Sequence, residues 1–225
     1  MVNGAVPVVE ALCDHPGINA VTFVGSSRVA EIVAQRCRAI NKRVLALGGA
    51  KNHLVALPDC DQEMVVNDIL TSAFGSAGQR CMAASALVLV GDTGPLLDSI
   101  VEAASKLLPG SGVGEVGPII DAAGYARTRR LYSNTRCYRL GSSRNAEPHL
   151  RSVERIERYI AEAEAAGTEV LLDGRSWNGA QPGHYVGPTI LLHSSSEDPA
   201  MQDEIFGALS RHLCAKGTGV ASSNG

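Results

Sequence analysis

Aromatic residues are scarce in this 225-residue sequence: Phe, Tyr and Trp together make up 4%, with a single tryptophan. A core built mainly on ring packing is therefore excluded, and aliphatic side chains, within an apolar content of 45%, must carry the burial. Charge of one sign is lacking too. Twenty Lys and Arg against 23 Asp and Glu leave a formal net charge of -3, which gives no global field to draw nucleic acid or an anionic membrane. No apolar run approaches the ~20 residues needed to cross a bilayer, and the opening MVNGAVPVVEALCDHPG has neither a basic leader nor a long apolar segment. The expectation is a soluble intracellular protein with no nucleic-acid or membrane partner. The six cysteines are scattered and never form a CxxC pair, which argues against zinc ribbons and thioredoxin-like sites and for free thiols. The histidines show no ligand-like spacing with one another or with acids, so no metal site is expected. Neither GxSxG nor a Walker A sequence is present.

What the chain does have is length enough for one domain or two small ones, which would bury roughly 70% of the extended chain's surface. Periodicity predicts strands at 20–24, 43–47, 54–57, 86–90, 169–172 and, interrupted by Gly187 and Pro188, at 185–192. Helical spacing falls at 6–12, after Gly25-Ser26, after Asp61 as a cap, and at 95–108 and 153–166. Strands alternating with helices predict an α/β fold with a largely parallel sheet. From Gly124 to Arg151 the pattern breaks. Arg127, Arg129, Arg130, Arg136, Arg139, Arg144 and Arg151 stand among few aliphatic residues, which reads as a solvated insertion or a non-native segment rather than a basic docking patch.

Four places could carry chemistry. Cys81 lies among small residues in GSAGQRCMA, where substrate could approach and Arg80 could favour a thiolate; a lone cysteine is equally a small core residue. FVGSS, Phe23 to Ser27, ends a strand and opens a helix, a geometry that suits a phosphate, although Ser26 or Ser27 could simply cap that helix. In GGAKNH, Gly48 and Gly49 permit close backbone approach to a ligand or an ordinary tight turn, and Lys51 and His53 read as structural. In DEIFG, Glu204 could accept hydrogen bonds from a sugar diol while Phe206 packs beside a flat ring, or Glu204 could be a surface acid.

Taken together and in this order, FVGSS, LGGAKNH, FGSAGQRCMA, GPII, YVGPTI and EIFG resemble the aldehyde dehydrogenase superfamily. CDHPGI, GGAKNH and GSAGQRCMA resemble its CoA-acylating methylmalonate-semialdehyde branch. The resemblance runs from about Val2 to Gly207, leaving out Gly124 to Arg151. It implies that Cys81 is the nucleophile, forming a thiohemiacetal and then a thioester. It also implies that Gly25 and Ser26 meet the NAD pyrophosphate region, that Gly48 lies near the nicotinamide, and that Glu204 holds the nicotinamide ribose with Phe206 beside it. Hydrolytic members carry a glutamate in E-L-G-G-K, where this chain has Ala46. A carboxylate base is thus missing, and release of the acyl group to coenzyme A is the implied route, with methylmalonate or malonate semialdehyde as substrate and decarboxylation to propanoyl-CoA or acetyl-CoA. A hydrolytic enzyme using another base, or an inactive remnant, are the alternatives.

The fold the resemblance implies is an aldehyde dehydrogenase-like catalytic domain at 46–207 with the insertion 124–151. It is preceded at 1–45 by the C-terminal part of a Rossmann-like NAD-binding domain whose N-terminal half is missing, and followed at 208–225 by a divergent polar tail. Complete family members are homo-oligomers, which is not expected of this shorter chain, and the 225 residues alone are expected to be inactive. In a eukaryote the implied compartment is the mitochondrial matrix.

Overall fold

In the computed structural model the described residues are 1–91, 94–120, 152–180, 182–193, 199–207 and 209–215. The Arg-rich stretch and the last ten residues lie outside them. The chain divides into two compact units, 1–50 and 51–225, so the boundary falls after Ala50 where the sequence places it after Leu45.

The first unit runs α1 (Val6–Asp14), β1 (Ala20–Val24), α2 (Ser27–Ala39) and β2 (Arg43–Leu47). β1 and β2 pair in parallel, Ala20 opposite Arg43 through Val24 opposite Leu47, with α2 as the crossover. Every second strand residue is half-buried, and Val21, Phe23 and Val44 pack on a small core of Cys13, Val33 and Cys37. The core residues of α2, Ala30, Val33 and Cys37, recur at three and four positions, which puts them on one helix face. Arg36 pins α1 to α2 from outside: its Nε donates to Asp14 Oδ1 at 2.8 Å and its Nη2 to Asp14 Oδ2 at 2.6 Å. This bidentate contact holds the Asp14 carboxyl below its ordinary value.

The second unit comprises β3 (His53–Ala56), α3 (Gln62–Phe74), β4 (Ala86–Val90), α4 (Gly94–Ser105), α5 (Ser152–Ala165), β5 (Glu169–Leu172), β6 (Thr189–His193), α6 (Pro199–Gln202) and β7 (Leu209–Ala215). They build a five-stranded sheet in the order β3-β4-β7-β6-β5. Only β5, at one edge, runs antiparallel to its neighbour. β4 and β6 are largely buried along their length, which is why they read as near-continuous apolar runs rather than as alternations. Helices complete the core with Ile69, Ala73 and Phe74 from α3, Leu96, Leu97, Ile100 and Ala104 from α4, and Val153, Ile156, Ile160 and Ala163 from α5. α3 starts where expected, with Asp61 Oδ1 accepting from the amide of Met64 at 3.0 Å.

Three differences from the pattern reading go beyond shifts of one or two residues. β6 begins at Thr189, because Pro188 has no N–H to give to a ladder. α4 ends at Ser105 and tightens into three-residue turns, Lys106 and Leu107 donating to Ala103 and Ala104 ahead of Pro109. The third difference is a correction. Within the stretch expected to be a polar tail, Leu209–Ala215 forms β7, with Thr189–His193 paired to Leu209–Leu213 on one side and Ala86–Val90 to Arg211–Ala215 on the other. That segment is the central strand of the sheet. No helix among the described residues is long and apolar enough to cross a membrane.

Candidate active site

The six residues singled out in the sequence divide between the two units, with Gly25, Ser26 and Gly48 in the first and Cys81, Glu204 and Phe206 in the second.

In the first unit the end of β1 and the end of β2 lie side by side, the amide of Gly25 donating to the carbonyl of Leu47 at 3.1 Å. Ser26 occupies the cap position of α2 with an extended backbone (φ -63°, ψ 148°), yet its side chain makes no capping hydrogen bond. The hydroxyl with a local backbone partner is that of Ser27, which accepts from the amide of Gly49 at 3.0 Å. Gly48 is required by this closure, since a Cβ there would stand 2.9 Å from Ser27 Cα and 2.8 Å from its Oγ. The first turn of α2 contains no acidic residue, so nothing opposes a negative group at its positive end. Of the two readings of FVGSS, simple capping by the Ser26 side chain is not what the structure contains. Gly25, Ser26 and Ser27 are all exposed at this helix start.

In the second unit α3 ends at Phe74, and a one-turn segment, Gly75–Gly78, leads to the cysteine. Ser76 (φ 54°), Ala77 (φ 52°) and Gly78 (φ 68°) are successive left-handed residues, a conformation that costs side-chain-bearing residues about 1–2 kcal/mol each. At Gly78 only glycine can stand, because a Cβ would fall 2.1 Å from the carbonyl oxygen of Gly207. The loop before Cys81 is thus pressed backbone to backbone on the end of EIFG. Arg80 Nη2 donates to the carbonyls of Thr71 (2.5 Å) and Ser72 (3.0 Å), so its charge sits at the negative end of α3. Gln79 spends both ends of its amide on the GPII segment: Nε2 donates to Pro118 O at 3.3 Å and Oε1 accepts from the Ile120 amide at 2.9 Å.

Cys81 is exposed, in contrast to the buried Cys13 and Cys37 and the half-buried Cys60. It opens on a cavity of about 850 Å³ lined by Leu54, Asp68, Thr71, Ser72, Gln79, Arg80, Met82 and Phe206 as well. Phe206 and Cys81 are therefore brought to one cavity, with Arg80 the only cation among the described residues that line it. Glu204 is exposed near by in sequence but does not line that cavity. Phe206 itself is 42% exposed and held at φ 54°. Ala46 lies half-buried in β2 opposite Phe23 and offers no carboxylate.

Lys51, which the sequence reads as structural, and Asn52 and Tyr159, which residue-type reasoning missed, hold these loops. Lys51 Nζ donates to the carbonyls of Ala200, at 3.0 Å, and Asp203. Asn52 Nδ2 donates to those of Cys81, at 2.7 Å, and Ala83, at 3.0 Å. Tyr159 donates to Asp203 Oδ2 at 2.8 Å, and burial, followed by this hydrogen bond, pushes its phenol above its ordinary value. The available signal was the polar Lys-Asn-His run straight after a glycine pair. Among the described residues no group of three His, Cys, Asp or Glu side chains could hold a metal ion.

Comparison with known proteins places this geometry. The profile of the aldehyde dehydrogenase family matches residues 1–138 and 145–213, so the likeness runs through most of the Arg-rich stretch and into β7, both left out of the resemblance drawn from motifs. A malonate-semialdehyde dehydrogenase of Halalkalibacterium halodurans is 35% identical over 210 residues, 92% of this chain and 38% of its own length. The bovine mitochondrial methylmalonate-semialdehyde/malonate-semialdehyde dehydrogenase [acylating] is 34% identical over 212 residues, 92% of this chain and 34% of its own. Among solved structures, a methylmalonate-semialdehyde dehydrogenase from Oceanimonas doudoroffii superposes with a TM-score of 0.77 at 33% identity, over 96% of this chain and 40% of that one. A putative methylmalonate-semialdehyde dehydrogenase from Sinorhizobium meliloti, complexed with NAD, gives a TM-score of 0.77 at 28% identity with the same coverage. The chain thus spans well under half the length of the relatives it matches.

Proposed function

The chain belongs to the aldehyde dehydrogenase family, and from that premise we propose that it carries the cysteine half of an NAD-dependent semialdehyde dehydrogenase that releases its acyl group to coenzyme A. The observation that carries this reading is Cys81, an exposed thiol at the edge of a cavity it shares with Phe206.

The thiolate of Cys81 attacks the aldehyde carbon, forming the carbon–sulfur bond of a thiohemiacetal, and once that carbon is oxidised Cys81 holds the acyl group as a thioester. NAD, when bound, supplies the two-electron acceptor for that oxidation. Ser26 and the open start of α2 suit its pyrophosphate, and Glu204 and Phe206 its nicotinamide end. A malonate-type semialdehyde is an anion, and Arg80 provides the positive charge in the cavity beside the nucleophile. Ala46 stands where a hydrolytic enzyme would place a carboxylate base, which favours attack on the thioester by the thiolate of coenzyme A, a nucleophile needing little activation. Cys81 leaves as thiolate and the acyl group departs on coenzyme A; the substrate's carboxylate is lost as carbon dioxide, the electrons of the broken carbon–carbon bond staying on the α-carbon, which takes up a proton from solvent.

The test is incubation with malonate semialdehyde, NAD and coenzyme A, following NADH by absorbance and acetyl-CoA by mass spectrometry. Formation of both, abolished by Cys81→Ser, is the expected result for the catalytic reading. Free acid appearing equally fast without coenzyme A would overturn release by thiolysis. A second reading, a family member that keeps the fold without turnover, requires that no NADH form at all.

A further inference from the structure

Two consecutive side chains just ahead of β3 reach the two loops that bear the proposed chemistry. Asn52 is stitched to the cysteine loop. Its Nδ2 donates to the carbonyls of Cys81 at 2.7 Å and Ala83 at 3.0 Å, and its own carbonyl accepts from the amides of Ser85 at 3.1 Å and Ala86 at 3.0 Å. Lys51 serves the other loop, its ammonium donating to the carbonyls of Ala200 at 3.0 Å and Asp203, at the end of α6 and directly before Glu204. The two side chains are neighbours in sequence and reach different loops.

Each loop needs such a restraint. The cysteine loop carries Ser76 and Ala77 in the left-handed region, and the other carries Phe206 there, so both store backbone strain that persists only when surrounding contacts over-determine it. Cys81 and Phe206 are both exposed, and their positions depend on their backbones being held. We propose that Lys51 and Asn52 are positioning residues that hold the nucleophile loop and the Glu204–Phe206 loop in register, Asn52 fixing the backbone of Cys81 and Lys51 fixing the segment that meets the cofactor. The proposal rests on the reading of Cys81 as nucleophile and of Glu204 and Phe206 as cofactor contacts, and it adds the device that sets their relative placement.

The chemistry of the two side chains makes the proposal specific. Both partners of the Asn52 amide are carbonyl oxygens, so a donor is obligatory and the near-isosteric Asn52→Asp, which only accepts when ionised, inverts the contact. Lys51→Met keeps the apolar stem and removes the donor, whereas Lys51→Arg keeps donors within reach of two carbonyls.

Hydrogen exchange on the whole chain, read by mass spectrometry, tests this without reference to turnover. In Asn52→Asp the peptide 80–86 is expected to exchange about tenfold faster while 200–207 stays at the wild-type rate. Lys51→Met is expected to give the reverse pattern, again by about tenfold, and Lys51→Arg to restore the wild-type rate at 200–207. Should Asn52→Asp fail to fold, Asn52→Ser, which shortens the side chain but keeps a donor, is expected to loosen 80–86 alone. Faster exchange across β4 and β6 in both variants would show a general stability role and overturn the proposal, as would loosening of the same loop by both substitutions. Cys81→Ser, which removes the nucleophile, is expected to leave the exchange pattern unchanged, so failure of the catalytic reading and failure of this one are told apart.

Discussion

Gly78→Ala tests the contact on which the second unit's site depends. The substitution adds one methyl group at φ 68°, where a side-chain-bearing residue is strained by about 1–2 kcal/mol. That methyl would also stand 2.1 Å from Gly207 O, 2.6 Å from Gly207 C and 3.0 Å from Ala73 O. These are backbone atoms of a packed loop and of the α3 terminus, so no flexible side-chain end can swing aside. Forcing them apart adds an overpacking cost of about 1–3 kcal/mol, and the two effects together destabilise by about 2–5 kcal/mol. For a protein of this size that corresponds to a fall in Tm of roughly 4–20 °C. Gly114→Ala is the matched control: Gly114 has φ 82° with nothing within 4 Å of its Cβ position, so it pays the conformational strain alone, about 1–2 kcal/mol. The assay is urea unfolding followed by far-ultraviolet circular dichroism, with thermal scans alongside. The difference between the two variants isolates the cost of separating the cysteine loop from EIFG. Equal losses in Gly78→Ala and Gly114→Ala would refute the close approach of the two loops and the cavity geometry that rests on it.

Ile156 is wholly buried in α5 and would meet a Cβ placed on Gly207, so Ile156→Ala is expected to cost about 2–5 kcal/mol in urea unfolding while also loosening EIFG; a loss below about 1 kcal/mol would show that the site collapses around the cavity. Asp173 is held below its ordinary carboxylate value chiefly by the side-chain hydrogen bonds from Arg175, with burial opposing. A depressed folded-state value means that its stabilising contribution is present above the unfolded value near 3.8 and is lost as pH falls through the lower folded value. The urea midpoint of the wild type should therefore fall between pH 5 and about pH 2 more steeply than that of Asp173→Asn, and parallel pH profiles would contradict the assignment.

Much of the architecture is legible because the signals are local. Asp61 announces the start of α3 because a cap acts within one turn, and the 3–4 spacing of Val153, Ile156, Ile160 and Ala163 announces α5 because one helix face must be buried. β4 is legible for the opposite reason, since burial over most of its length leaves an unbroken apolar run. β7 escapes because its assignment comes from partners far away in sequence: a slot between β4 and β6 is filled by backbone ladders on both sides, and the mixed apolar and polar composition of 209–215 holds no record of that slot. At the site, Cys81 stands out by its small neighbours. Asn52 does not, and Lys51 reads only as structural with no partner named, since both bond main-chain carbonyls, which no residue pattern displays.

By itself the sequence determined the class of fold, the family resemblance and the candidate nucleophile, because helix faces, strand runs, turns and short motifs are properties of neighbours along the chain. Only the tertiary structure decided that the expected polar tail supplies the central strand, that the Ser26 side chain does not cap α2, and that Gly78 exists to let two loops touch. It alone showed that two adjacent side chains tether both loops of the second unit. Those facts turn on distances between residues remote in sequence, and such distances are set by how the elements pack.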